Sequence, residues 1–260
     1  MHQQSAAEAA QLNLANPTNQ TDISKRVIFT MGGKGGVGKT SVVLALAEWF
    51  ENHQIRVRLL DLDTENKARG SLKHYFDGTV AKVNIHTAAG LDAFIDHLSA
   101  DSLIILADMG AGSGHVTHEW FDSMFEDVRA TGVEFTAIGI VTPDPASVES
   151  VLSWAARLQD RVSYVIVENA TTHQSDFSYW RDSHQADQFR TAFRPTILSM
   201  EFRLPDLENP ARQHGVTLGQ VAERRIRVPE LQRASLVIRA QSYRRRLFEE
   251  IEKAKGLLLP

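Results

Sequence analysis

The stretch Gly33-Lys34-Gly35-Gly36-Val37-Gly38-Lys39-Thr40 constrains the fold of this chain more than any other part of it. It follows a short apolar, β-branched run, Val27-Ile28-Phe29-Thr30. It precedes Thr40 to Asn52, where Val43, Leu46, Ala47 and Phe50 recur at helical spacing. The pattern G-x-x-x-x-G-K-S/T between a strand and a helix is that of a phosphate-binding loop. Glycines let the backbone curl so that its N–H groups converge on an anion. The helix that follows turns its positive end to the same anion. The expected contacts are the backbone of Gly35, Gly36, Val37 and Gly38 around the phosphates and Lys39 on the β- and γ-phosphates. The Thr40 hydroxyl is expected on magnesium and Ser41 near the α-phosphate. The ligand implied is ATP with Mg2+.

Further apolar strands follow at Ile55 to Leu62, Ser102 to Ala107, Glu134 to Thr142, Val162 to Val167 and Thr196 to Met200. Helical segments lie between them, clearest at Ala146 to Gln159. Lys82 to Leu98 reads as a short strand and a helix. The alternation predicts an α/β fold, a single domain with a mainly parallel central sheet flanked by helices. The tail from Pro229 to Lys255 reads as helix with Tyr243, Leu247, Phe248 and Ile251 on one side. Met1 to Lys25 is rich in Gln, Asn, Ala, Ser and Thr and is expected as a disordered leader, with a frayed helix near Ser5 to Leu14. That leaves residues 26–260 as the folded domain. No internal repeat and no linker divides them.

Acidic residues close two of the strands. Leu59-Leu60-Asp61-Leu62-Asp63 places two carboxylates on the same side of a strand end. Leu103 to Ala107 leads into Asp108, with Gly110 two residues on and Ala111, Gly112 and Gly114 after it. Bland alternatives stand beside these readings: aspartates that cap a strand and a helix, and a plain flexible loop.

Taken together, these motifs resemble the deviant Walker A family, the ParA/MinD-type ATPases, whose loop reads K-G-G-x-G-K-S/T. Lys34 to Thr40 matches every position. The resemblance implies that Lys34 reaches across a dimer interface to the partner's nucleotide, a cation supplied in trans as an arginine finger is. It implies that Asp63 orients the attacking water. Asp61 and Asp108 would support magnesium through its water shell, and the Gly110 loop would act as a switch. Where the family often continues with Pro-Gln-Gly-Asn, this chain has Thr64-Glu65-Asn66, which leaves the local loop geometry open.

Fainter echoes follow. Val141-Thr142-Pro143-Asp144-Pro145-Ala146-Ser147-Val148 resembles a family strand end. Val165 to Asn169 resembles the strand whose asparagine holds the adenine, so Asn169 is the base-contact candidate, with a strand cap as the alternative. Leu204-Pro205-Asp206 and Ala211 to Leu218 echo a later segment. The spacing from Asp61 through Asp108 is also similar to TraL-type conjugative-transfer ATPases.

Composition narrows the remaining choices. With a formal net charge of −4 the chain is no polycation, so any nucleic-acid contact must come from a local patch. Absence of cysteine excludes disulfides, iron–sulfur clusters and thiolate zinc sites, and fits a reducing cytoplasm. His115 and His118 sit beside the switch loop without further ligands and read as surface histidines. Trp120, Trp154 and Trp180 read as core or interface. Arg224, Arg225, Arg227, Arg233, Arg239, Arg244, Arg245 and Arg246 cluster with Glu230 as the only acid among them. Non-specific DNA binding is one reading of this cluster, as in several ParA relatives. The other is a helix face met by acids from elsewhere. Phe248 to Leu259 imitates an amphipathic membrane anchor, but Glu249, Glu250 and Glu252 would repel an acidic bilayer, so it reads as a packing helix.

The functional expectation is an ATP-hydrolysing switch. ATP drives homodimerisation with a second copy, and an activating or cargo protein is engaged. The process is plasmid or chromosome partition, DNA transfer, or positioning of a large assembly. The alternative is a metabolic enzyme of the dethiobiotin-synthetase kind acting on a small acceptor. A third reading, nucleotide binding without hydrolysis, is opposed by the intact Asp63.

Overall fold

The computed structural model describes residues 24–63, 71–76, 78–98, 102–111 and 114–260. Seven strands form one sheet in the order β3-β2-β4-β1-β5-β6-β7, and every pairing is parallel. They are β1 (Lys25–Met31), β2 (Val57–Asp61), β3 (Val80–Lys82), β4 (Ile104–Asp108), β5 (Val133–Val141), β6 (Ser163–Asn169) and β7 (Thr196–Met200). The helices are α1 (Lys39–Asn52), α2 (Ala88–Leu98), α3 (Gly114–Arg129), α4 (Pro145–Leu158), α5 (Ser178–Asp182), α6 (His184–Phe193), α7 (Pro205–His214), α8 (Leu218–Ala222), α9 (Ala234–Glu252) and α10 (Lys255–Leu258).

Alternation along the strands sorts the core into two layers. Val27, Phe29 and Met31 of β1 face α3 and α4 residues such as Phe121, Phe125, Val148 and Trp154. Ile28 faces the opposite way, into Val43, Leu46 and Phe50 of α1 and Ile251 and Leu258 from the C-terminal helices. A central strand covered on both faces is apolar on both, which is why Val27 to Phe29 of β1 and Ile104 to Ala107 of β4 read as hydrophobic runs. Each fully buried Leu, Ile or Phe contributes about 1.5–3 kcal/mol of transfer free energy.

Element bounds shift where capping intervenes. The strand expected from Ile55 starts at Val57 because the Ile55 N–H donates to Phe50 O at 2.9 Å, closing the end of α1. The short strand expected within Lys82 to Leu98 is β3, ending at Lys82. Pro229 opens a separate 3-10 turn to Gln232, so the long helix begins only at Ala234. Lys25, placed in the leader from sequence, is the first residue of β1. The helix expected near Ser5 to Leu14, the Thr64-Glu65-Asn66 segment and Gly112 lie outside the described residues.

The end of the chain is packed, as expected of a packing helix. Leu258 and Ala254 are fully buried, Thr136 Oγ1 donates to Leu257 O at 2.6 Å, and Arg26 Nε donates to Leu259 O at 3.2 Å. No helix among the described residues is long and apolar enough to cross a membrane.

Candidate nucleotide site

The C-terminal ends of β1, β2, β4 and β6 converge on one edge of the sheet, where open parallel sheets bind ligands. Asp61 and Asp108 are register partners on adjacent strands, so their carboxylates meet at that edge. A cleft of 660 Å3 opens there, lined by Gly35, Gly36, Gly38, Lys39, Thr40, Ser41, Asp63 and Asn169 together with Phe202, Arg203 and Pro205. It is large enough for a nucleotide.

The loop between β1 and α1 has the curl its glycines allow. Gly38 is left-handed (φ 99°) and caps α1, and a Cβ there would stand 2.5 Å from Asn169 Nδ2. Only glycine meets both demands. Asn169 is buried and its Nδ2 donates to Val37 O at 2.8 Å, so the end of β6 braces the loop from below. Lys39 crosses the loop, its Nζ donating to Lys34 O at 2.8 Å and to Gly32 O at 3.2 Å. Burial lowers the Lys39 pKa, and the nearby Asp108 and Asp63 act in the opposite sense.

Asp108 is the electrostatic centre. Its Oδ2 accepts from Thr40 Oγ1 at 2.7 Å, and its Oδ1 from Thr30 Oγ1 at 3.4 Å. Burial is the main cause of a carboxyl pKa pushed up to about 7, and Asp61 and Asp63 raise it further. Thr30, which sequence reasoning did not single out, also accepts from Met109 N at 2.9 Å and so fixes the start of the Gly110 loop. Gly110 passes so close to Asp63 that a Cβ would lie 2.9 Å from its Oδ1. The two acidic motifs are therefore in contact.

These residues fit Mg-ATP. Crowded buried carboxylates beside a threonine hydroxyl are hard oxygen donors whose mutual repulsion a divalent cation relieves. Among the described residues, no three His, Cys, Asp or Glu side chains cage a metal unaided. Magnesium keeps several waters and takes its remaining ligands from nucleotide phosphates. Thr40, Asp61 and Asp108 would hold it.

Lys34 lies outside the loop's concavity. Its Nζ pairs with Asp144 Oδ2 at 3.2 Å, and Asp144 caps α4 by accepting from Ala146 N at 3.0 Å. Ser150 of α4 accepts from the N–H groups of Gly33 and Lys34 at 2.6 and 3.2 Å.

Other candidates resolve differently. His118 is half-buried against the Trp154 ring, with its Nε2 unpartnered among the described residues, so it is a packing rather than a surface histidine. Trp120, Trp154 and Trp180 are core. Within the arginine cluster, Arg244 pairs with Glu223 at 2.9 Å, Arg246 with Glu201 at 2.6 Å, and Arg225 with Glu223 at 2.5 Å. Acids from elsewhere thus meet half of the block Arg224, Arg225, Arg227, Arg244, Arg245 and Arg246.

Two solved structures share this architecture. The septum site-determining protein MinD from Pyrococcus horikoshii, solved with Mg-ADP, aligns at a TM-score of 0.52 and 16% identity over 89% of this chain and 98% of that one. The MinD cell division protein of Aquifex aeolicus aligns at a TM-score of 0.50 and 15% identity over 90% and 99%. No curated protein matches the chain in sequence. Residues 28–253 match the CobQ/CobB/MinD/ParA nucleotide binding domain, and the chain belongs to that family.

Proposed function

We propose that the protein is a magnesium-dependent ATPase whose nucleotide state governs pairing with a second copy of itself. The observation that carries this reading is the Thr40–Asp108 hydrogen bond, which brings the phosphate loop and the second acidic motif to one point. Lys39 and the loop N–H groups bind the β- and γ-phosphates. Asp63, lining the cleft against Gly110, orients the attacking water. Magnesium, when bound, neutralises charge on the phosphate oxygens. Lys34, at the rim, is supplied to the partner's nucleotide in trans. An activating or cargo protein reads the dimer, in partition, DNA transfer or positioning of a large assembly.

The test is Asp63→Ala. The variant binds ATP as wild type does, because the lost group acts on water, and hydrolyses it about 10²–10⁴-fold more slowly. Wild-type turnover in this variant would leave Asp63 a structural cap.

A further inference from the structure

Asp61 is 1% exposed, and both of its oxygens are engaged. Oδ1 accepts from the Asp63 N–H at 3.1 Å, which closes the turn from which Asp63 projects. Oδ2 accepts from the Ser71 hydroxyl. Ser71 is itself buried and fixed. Its Oγ accepts from Lys73 N at 3.3 Å, capping the 3-10 turn Leu72–His74. A hydroxyl has one proton, and with Lys73 N–H donating to the oxygen, that proton goes to the carboxylate. The turn is anchored in its own right. Leu72 is fully buried, and His74 Nε2 hydrogen-bonds Arg212 O at 2.9 Å. At Gly215 a Cβ would stand 2.2 Å from His74 O, so α7 closes directly over the turn. The Ser71 oxygen is therefore fixed relative to both the sheet and α7.

We propose that Ser71 is a positioning residue for hydrolysis: through Asp61 it holds the backbone turn that directs the Asp63 carboxylate into the nucleotide cleft. This rests on the reading of Asp63 as the group that orients water. A capping role alone would use only the Ser71 lone pair. The additional bond to a buried carboxylate transmits the position of the 3-10 turn to the site.

Thermal melting, calorimetric titration with ATP in the presence and absence of magnesium, and turnover per titrated ATP site test it in Ser71→Ala, Ser71→Thr, Asp63→Ala and the Ser71→Ala/Asp63→Ala double variant. Ser71→Ala is expected to bind ATP with wild-type affinity and to turn over about 10- to 10²-fold more slowly per site, the scale of a misplaced reacting group. Ser71→Thr restores turnover because the hydroxyl returns. The double variant is no slower than Asp63→Ala, since both changes act through one group. A Ser71→Ala protein with a lower melting temperature but wild-type turnover per site would overturn the proposal, as would multiplicative losses in the double variant. If Ser71→Ala does not fold, Ser71→Cys, a weaker donor of similar size, takes its place with the same expected ranking. Slow Asp63→Ala with normal Ser71→Ala removes only this proposal. Normal Asp63→Ala removes the reading beneath it.

Discussion

Lys34 Nζ and Asp144 Oδ2 stand 3.2 Å apart, so the lysine proposed to serve a partner's nucleotide is held within its own chain by the residue that caps α4. Both side chains are about half exposed, and the pair is open to solvent screening. The hydrogen bond from the Ala146 N–H, and after it the contact with Lys34, keep the Asp144 carboxyl below its usual pKa, so it stays ionised at neutral pH.

A dimerisation prediction follows from that contact. In an Asp63→Ala background ATP, but not ADP, drives a monomer-to-dimer shift visible by light scattering. Lys34→Ala keeps most nucleotide affinity, supplied by Lys39 and the loop N–H groups, and loses the dimer. Asp144→Asn retains the cap, because Asn caps as well as Asp. It releases the lysine, so the dimer forms at a lower protein concentration. A ligand shifts association only by its differential interaction with the two states. A dimer equally stable without nucleotide would make association constitutive. Normal dimerisation and hydrolysis in Lys34→Ala would favour an enzyme acting on a small acceptor.

Asp108 yields a stability prediction with a definite sign. Its pKa in the folded protein is about 7 against an ordinary 3.8, so the fold prefers the protonated form. Ionisation of the unfolded chain above 3.8 therefore costs stability as pH rises, and the cost levels off above about 7. A shift of that size corresponds to about 4 kcal/mol. Asp108→Asn should melt with wild type near pH 4 and well above it at pH 8, both measured without ligand. The variant's added stability from Mg-ATP should be smaller than that of wild type. Identical melting curves at pH 8 would show that Asp108 carries no such penalty.

The two halves of the site differ in how far sequence displayed them. The loop and both aspartate motifs announce themselves because phosphate chemistry fixes residue types at fixed spacing next to a strand end, and strands buried on both faces are plainly apolar. Ser71, Thr30 and Ser150 do not. Each acts through hydrogen bonds to residues distant in the chain, as Ser150 of α4 does to Gly33 and Lys34, and a lone Ser or Thr leaves no pattern. The arginine cluster shows the converse. Its charge is obvious in sequence, but the acids that answer it, Glu201 and Glu223, come from outside the block Arg224 to Arg246.

That pairing sharpens the DNA prediction. Of the six arginines Arg224, Arg225, Arg227, Arg244, Arg245 and Arg246, the second, fourth and sixth are occupied, which leaves Arg224, Arg227 and Arg245 as exposed cations without an ion pair among the described residues. Three phosphate contacts give a salt slope of about −3 in log K against log salt. Replacing all three by Glu should abolish duplex binding at low salt and leave ATP affinity intact. No binding by wild type at low salt with ATP present would assign the cluster to packing.

Asn169 carries the last prediction, because the structure gives it a second task beside the base contact expected of it. Its Nδ2 donates to Val37 O, so one end of the amide supports the phosphate loop while Oδ1 is left as an acceptor. An adenine amino group is a donor and suits that acceptor; a guanine, with a carbonyl in its place, does not. Asn169→Ala loses both functions, so it should bind ATP more weakly and lose preference for ATP over GTP. Asn169→Asp keeps an acceptor but sets an oxygen against Val37 O. It should weaken both nucleotides and preserve the ratio between them. Competition titrations of ATP and GTP on the two variants separate the roles. An Asn169→Ala protein weakened equally toward ATP and GTP would leave Asn169 a brace for the loop alone.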